Sequence, residues 1–328
     1  MPVWIPQQGN SFWMSRKRMG KYKVITGQNL FDLALHIYGS IEGIVDLMMN
    51  NTSLSLADTL KMGDELEFTD DYIINADIVA YYRMNNITPS NGERSVYFKS
   101  SAFQKVFAIR LNNKKTSAGF SVSGSGKMEI DWGDNSPLQE ITLNNILQNL
   151  FHSFDNTVSG HRNIIIYGDF IVRQADFTGF QANSIILFRP LPVEKFILKD
   201  AKIDIGFVSL FEGVYDINLS GLKTTSLFPL LANEHLMKLD LSEINTPREA
   251  VDAYLIALVK QHYGRRNCTV IFTRYSSGEY REPGKDENGN YCLSFGMEAV
   301  WVLCNEPAWN ESGYWKFIIN EDVYTSQP

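Results

Sequence analysis

Cysteine is scarce in this chain. Cys268, Cys292 and Cys304, three in 328 residues, are an odd number at wide spacing, which excludes a disulfide framework and any CxxC metal pair. The five histidines, His36, His152, His161, His235 and His262, never fall at the HExxH spacing that sets two imidazoles on one helix face. No run approaches the ~20 apolar residues that span a bilayer, so no membrane span is expected. The opening MPVWIPQQGNSFWMSRKRMG has no apolar h-region, and its basic residues follow its aromatics, the reverse of a secretory leader. The chain is expected to be made and kept in the cytoplasm, or to leave it by a route such as lysis. Excess positive charge is missing too. A net charge of -7 offers no electrostatic footprint for nucleic acid or an anionic membrane, and the one basic run, Arg16-Lys17-Arg18, is short. GxSxG, P-loop and dinucleotide fingerprints are absent.

What is present is an ordinary globular composition, 44% hydrophobic and 20% charged, at a length that exceeds one comfortable core. Several modules are expected, in an α+β multi-domain arrangement. Residues 1–20 form an N-terminal arm. In KYKVITGQNLFDLALHIYGS, Tyr22 and Val24 alternate with Lys21 and Lys23 as in a half-buried strand. Asn29 can cap a helix whose charge-favoured first turn holds Asp32, and Leu30, Leu33, Ala34 and Ile37 make one apolar stripe. Gly39 stops it. A second helix carries Ile44, Leu47 and Met48, with Asn50-Asn51 at its end, and LKMGDELEF supplies a turn at Gly63 and a closing strand with Leu66 and Phe68. The order is βααβ.

With Tyr22, Val24, Gly27, Leu30, Leu33, Ala34, Tyr38, Gly39, Asn50, Leu60, Gly63 and Leu66 at the family's spacing, residues 21–70 resemble a LysM domain. The resemblance implies a groove between the first strand–helix loop, Gly27, Gln28 and Asn29, and the stretch Asn50, Asn51, Thr52 and Ser53. That groove would take peptidoglycan-type N-acetylglucosamine or a protein partner. The usual Gly-Asp-Thr turn is Gly-Gln-Asn here, and a single copy gives little avidity for a glycan.

Residues 71–103 read as a connector, with a helical turn or two at Ile78, Tyr81, Tyr82 and Asn85 and a break at Pro89-Ser90-Asn91-Gly92. From 104 to 168 the pattern becomes short strands, VFAIRLN, GFSVSGSG, KMEIDWGDN and QEITL, as in a small antiparallel β-sandwich. EIDWGDNS, followed by His152, Phe154 and NIIIYGD, resembles the W-G-D hallmark of PKD-like domains. Asp131 and Asp134 invite a metal reading, but carboxylates in such a turn more often bind backbone amides.

Sliding the sequence on itself reveals a repeat. VRQADFTG starts at Val172, VEKFILKD at Val193, VYDINLSG at Val214 and LMKLDLSE at Leu236, steps of 21, 21 and 22 residues. The fourth and sixth positions of each unit are apolar, Ala175 and Phe177, Phe196 and Leu198, Ile217 and Leu219, Leu239 and Leu241, so stacked units would form a parallel ribbon with one apolar side. Residues 169–274 therefore resemble a short leucine-rich-repeat-like β solenoid. A helix at 247–263 should cover its edge, capped by Thr246, started by Pro247 and stopped by Gly264, with CTVIFT as a last strand.

The segment 275–328 is expected as a C-terminal β-hairpin of MEAVWVLCN and YWKFIIN, preceded by a turn at Asn288-Gly289. Asp286, Asn288 and Asn290 imitate the start of a calcium loop but lack its closing Glu. Glu306, in Asn-Glu-Pro, has too little chain after it for a second glycosidase carboxylate, so no catalytic residue is assigned. Trp301, Trp309, Tyr314 and Trp315 are candidate interface residues, with a local mini-core as the alternative.

In this order the modules resemble a tail or baseplate protein of a bacteriophage, plausibly one of gut Bacteroidetes. The resemblance implies a non-enzymatic virion component without metal or cofactor, assembled in the host cytoplasm. It would be present in multiple copies in a symmetric assembly and dock through its LysM-like module on neighbouring tail or baseplate proteins. The alternative is a surface adhesin that binds peptidoglycan or another glycan.

Overall fold

The computed structural model describes residues 18–25, 27–56, 58, 60–90, 99–154, 162–261 and 266–325. The arm up to residue 17, Asn91-Gly92, His161, His262 and Gly264, each given a part above, lie outside them. The chain divides into two compact units, Met1–Ser95 and Val96–Pro328, and among the described residues it is mixed α and β, with five α-helices, a two-stranded sheet and a thirteen-stranded sheet.

The first unit runs β1 (Met19–Lys23), α1 (Leu30–Tyr38), α2 (Ile44–Asn50), β2 (Glu65–Thr69) and α3 (Ala76–Met84). β1 and β2 pair antiparallel, Tyr22 opposite Leu66. Asn29 and Asp32 cap α1 reciprocally: Asn29 Oδ1 accepts from the Asp32 amide and Asp32 Oδ2 from the Asn29 amide, which satisfies two otherwise orphaned donors. Gly39 ends the helix in the left-handed conformation at φ 72°, and a Cβ there would stand 2.2 Å from the Asn75 carbonyl. Only glycine allows that approach. Leu30, Leu33, Ala34, Tyr38, Leu47, Leu60 and Leu66 form the core, with Ile37 and Ile44 packed against it. The helix foreseen in the connector forms as α3, but it buries only Val79.

The second unit begins with β3 (Lys105–Leu111), β4 (Ser117–Asp131), β5 (Gln139–Asn144), β6 (Gln148–Ser153) and β7 (Arg162–Asp176). GFSVSGSG and KMEIDWGDN, read as two strands, are the single strand β4. The glycines between them do not break it: Gly124 and Gly126 lie where β4 bulges and crosses closely over β7, with the Ile171 and Asp169 carbonyls where a Cβ would stand. β4 pairs antiparallel with β5, β6 and β7.

β7 is where two kinds of sheet meet. Its first half pairs antiparallel with β3, Ile164 opposite Ile109. Its second half pairs parallel with β9 (Leu191–Ile197), Val172 opposite Val193 and Ala175 opposite Phe196. The strand therefore runs without interruption through residues 168 and 169, where the sequence suggested a change of module. β8 (Ser184–Leu187) lies beyond β3, and β10 (Phe211–Glu212) pairs beside β9.

Past β9 the ladder stays parallel through β11 (Asp216–Asn218) and β12 (Lys238–Leu241). The repeat offset is the ladder register: Phe196, Ile217 and Leu239 are direct neighbours, all buried. The ladder continues after the repeat has faded from the sequence. α4 (Arg248–Lys260) leads to β13 (Thr269–Phe272), and α5 (Gly296–Asn305) leads to β14 (Lys316–Ile319), both parallel, with Val270 and Phe317 in line with Leu239. Parallel neighbours need crossover connections. Between β9 and β12 these hold short 3-10 turns at Gly206–Leu210 and Phe228–Ala232, and later whole helices. β15 (Asp322–Thr325) closes the sheet as an antiparallel partner of β14.

Three expectations are corrected here. MEAVWVLCN is helix α5, not a strand, because nearly every side of it is buried and a helix apolar all round shows no helical period. The C-terminal hairpin is β14–β15, and β14 extends the ladder. α4 starts one residue later than foreseen: Pro247 takes the cap position with extended ψ 140°, and Thr246 makes no cap bond.

Both halves of the second unit share one core, from Val106 to Ile319. Phenylalanines carry it across: Phe120 meets Phe177 at 5.5 Å, Phe177 meets Phe196 at 5.5 Å, and Phe196 meets Phe211 at 5.0 Å.

Candidate functional site

The two loops expected to form a groove are held from inside. Gln28 is fully buried; its Oε1 accepts from the Ile25 amide (3.0 Å), and its Nε2 donates to Tyr22 Oη and to the Pro89 carbonyl (both 3.0 Å). Asn29 is spent on the cap. Asn51 Nδ2 donates to the Leu47 and Glu67 carbonyls, and its Oδ1 accepts from the Glu67 amide. Asn50 Nδ2 donates to Asp46 Oδ2 (2.8 Å) and Thr69 Oγ1 (3.3 Å). Of the seven predicted residues, only Thr52 and Ser53 are exposed. The bonds also run to opposite ends of β2. Val24, before the first loop, is tied to Gly63 and Asp64, whereas Asn50 is tied to Thr69, about 17 Å farther along the strand.

Asp46, which sequence reading passed over, organises this unit. Its carboxylate accepts from Tyr38 Oη (2.7 Å), Asn50 Nδ2, the Thr69 amide (2.9 Å) and Thr69 Oγ1 (2.8 Å). Burial pushes the Asp46 carboxyl up, but those hydrogen bonds outweigh it and hold the group below the usual carboxylate value. Burial and the same bond push the Tyr38 phenol up. Opposite this buried side, Val45 and Met49 are exposed one turn apart on the outer face of α2, and Ile41, in the 3-10 turn that precedes it, is exposed as well. The same period that marks Ile44 and Leu47 as inward could have revealed that outer face.

In the second unit the W-G-D turn joins β4 to β5. Trp132 stacks on His152 with ring centres 4.9 Å apart, and Trp132 Nε1 donates to Gln139 Oε1 (2.7 Å). His152 Nε2 meets Asp134 Oδ2 at 2.7 Å, and Lys99 Nζ donates to Asp131 Oδ1 at 2.6 Å. The Gly133 amide donates to Asp131 and the Ser136 amide to Asp134, so both carboxylates are engaged by backbone and neighbours. Gly133 sits at φ 77°, and a Cβ would stand 2.2 Å from the Asn163 carbonyl of β7. Gly133→Ala is expected to destabilise this unit by about 3 kcal/mol, read as a lower urea midpoint.

Two of the four aromatic interface candidates are buried in the core. Trp309 and Trp315 are buried; they meet edge-to-face at 6.0 Å, and Trp315 stacks on Phe317. Trp301 is half-buried against Tyr291, and only Tyr314 is exposed. Glu306 lies just past α5 rather than between two strands, and its Oε2 accepts from Tyr291 Oη (2.7 Å). Asp286 Oδ1 accepts from the Asn288 and Asn290 amides, an Asx turn. Among the described residues no group of three or more His, Cys, Asp or Glu is placed to hold a metal ion, and no helix is long and apolar enough to cross a membrane.

The thiols differ in reach. Cys268 and Cys304 are buried and Cys292 is exposed, and burial pushes the Cys304 thiol up to about 12. Iodoacetamide at mildly alkaline pH is therefore expected to label Cys292 alone in the folded chain and all three after unfolding, as mass spectrometry of the digested product would show. Labelling of Cys304 at the rate of Cys292 would refute that burial.

No known protein family, curated protein or solved structure matches this chain.

Proposed function

We propose that this protein is a non-enzymatic structural component of a bacteriophage tail or baseplate, assembled in the host cytoplasm into the virion. In this reading the LysM-like first unit docks on a neighbouring subunit, and the repeats act as a leucine-rich-repeat-like solenoid, a stiff spacer. The observation that carries it is the exposed apolar pair Val45 and Met49 on α2, with exposed Ile41 in the turn before it, next to loops whose polar side chains already bind within the unit. A surface so built has apolar area to offer a protein and few free hydrogen-bonding groups to offer a sugar. The glycan-binding adhesin alternative rests on Thr52 and Ser53, the two exposed loop residues.

Mass spectrometry of purified virions tests the proposal: the chain is expected among the particle proteins, and its absence would remove the reading. Val45→Glu with Met49→Glu, both at exposed positions, is expected to leave folding intact and to abolish incorporation. Retention of the full chain on purified peptidoglycan, unaffected by that double variant, would favour the adhesin.

A further inference from the structure

The loops that leave the carboxyl ends of the parallel strands form an open groove of about 670 Å³. Such strand ends are where open parallel sheets bind ligands, and the volume is that of a ligand site. Lys202 follows β9, Lys223 follows β11, Arg248 follows β12 and Arg274 follows β13. We propose that this groove binds an acidic, carboxylate-bearing oligosaccharide.

Charge is the first argument. In a chain of net charge -7, these four cations face a single carboxylate, Asp204, whose Oδ1 already accepts from the Gly206 amide. None of the four forms an ion pair among the described residues. Lys202 and Lys223 are bridged partners on adjacent parallel segments, one strand spacing or ~4.8 Å apart. Like charges directly opposed destabilise a sheet, and a bound anion relieves that repulsion.

The lining between the cations selects the class of anion. Asn183, Thr224, Thr225 and Asn245 are neutral hydrogen-bonding side chains suited to hydroxyl groups. Thr246 Oγ1 is enclosed with no partner among the described residues. No aromatic ring lines the groove itself, and the two rings of the adjoining pocket, Phe272 and Tyr275, lie outside it, so successive nucleic-acid bases find no stacking platform along the groove. The Lys223 segment is bridged to Lys202 on one side and accepts from the Asn245 amide at the Leu222 carbonyl on the other, so it offers no open edge for an added peptide strand. An adjoining pocket of about 100 Å³, sharing Thr246, Arg248 and Arg274, is closed by Ile244, Val251 and Phe272, room for an acetyl or methyl substituent. The sequence signal was available: Lys202 and Lys223 are one repeat apart.

Calorimetric titration of the full chain with a galacturonic acid hexamer tests this, with a neutral maltohexaose, a polyglutamate peptide and an oligothymidylate in parallel. The acidic sugar is expected to bind, more weakly as salt rises, and the neutral sugar not to bind. Lys202→Glu with Lys223→Glu is expected to weaken binding at least about tenfold with an unchanged circular dichroism spectrum. Lys114→Glu, an exposed control outside the groove, is expected to leave binding unchanged. No binding of the acidic hexamer at low salt, or equal binding by the double variant, would overturn the proposal. So would polyglutamate or oligothymidylate binding as tightly and being lost in the same variant, since the groove would then not select a sugar.

Discussion

Phe196→Ala is expected to lower the stability of the second unit by about 3–5 kcal/mol, and to do so for its antiparallel and parallel parts together. Phe196 is buried on β9, one rung from β7 in the ladder, with the rings of Phe177, Phe207 and Phe211 around it. Through Phe177 it is coupled to Phe120 and Phe107, so the void left by its ring opens between the two halves of one core. Urea unfolding followed by fluorescence, with Trp132 reporting on one half and Trp315 on the other in suitable tryptophan-to-phenylalanine backgrounds, is expected to give one transition at one lowered midpoint. A shift at Trp315 with none at Trp132 would show that the halves fold separately, as a sandwich followed by an independent repeat module.

Asp46→Ala is the second large expected effect, of about 3 kcal/mol, confined to the first unit. Removing the carboxylate strands the Thr69 amide and the Tyr38 hydroxyl at a buried site and leaves Asn50 Nδ2 and the Thr69 hydroxyl only their long bond to each other. Faster amide hydrogen exchange is expected across residues 30–69, with peptides from β7 unchanged, because the two cores are separate. The wild-type chain carries the matching pH dependence. Asp46 is held below its ordinary 3.8 in the folded state, so its contribution is complete above that value and is lost as pH falls through the lower folded-state pKa. Acidification is expected to loosen the first unit in that window, and Asp46→Asn to remove this dependence. Identical acid profiles for wild type and Asp46→Asn would contradict the assignment.

Much of the fold was legible because its signals are local or periodic. Asn29 three residues before Asp32, and Gly39 at the end of the apolar stripe, marked α1 correctly, since caps depend on a few adjacent residues. The repeat from Val172 to Leu241 was legible because a parallel ladder brings residues one period apart into contact. β13 and β14 continue that ladder without the period, as their crossovers are long helices of unequal length, so no offset links Leu239 to Val270 or Phe317. α5 was unreadable for another reason: Val300, Val302, Leu303 and Cys304 are buried on several sides, and burial all round erases the pattern that separates helix from strand. Losing that helix also left Trp309 and Trp315 without an apparent place to be buried.

The candidate site was less legible. The family resemblance pointed to Gln28, Asn50 and Asn51, but a matching loop position does not say whether an amide faces a ligand or its own chain, and here the partners lie at Pro89, Thr69 and Glu67.

The ladder from β7 to β12 also has an evolutionary reading. The chain returns to the same register every 21 or 22 residues, so an in-frame duplication of one such segment keeps the backbone register at the seam. Such a duplication would add one strand spacing, ~4.8 Å, to the parallel ladder, with β15 still paired antiparallel to β14 at its far margin. Homologues differing by whole multiples of that period are its expected trace.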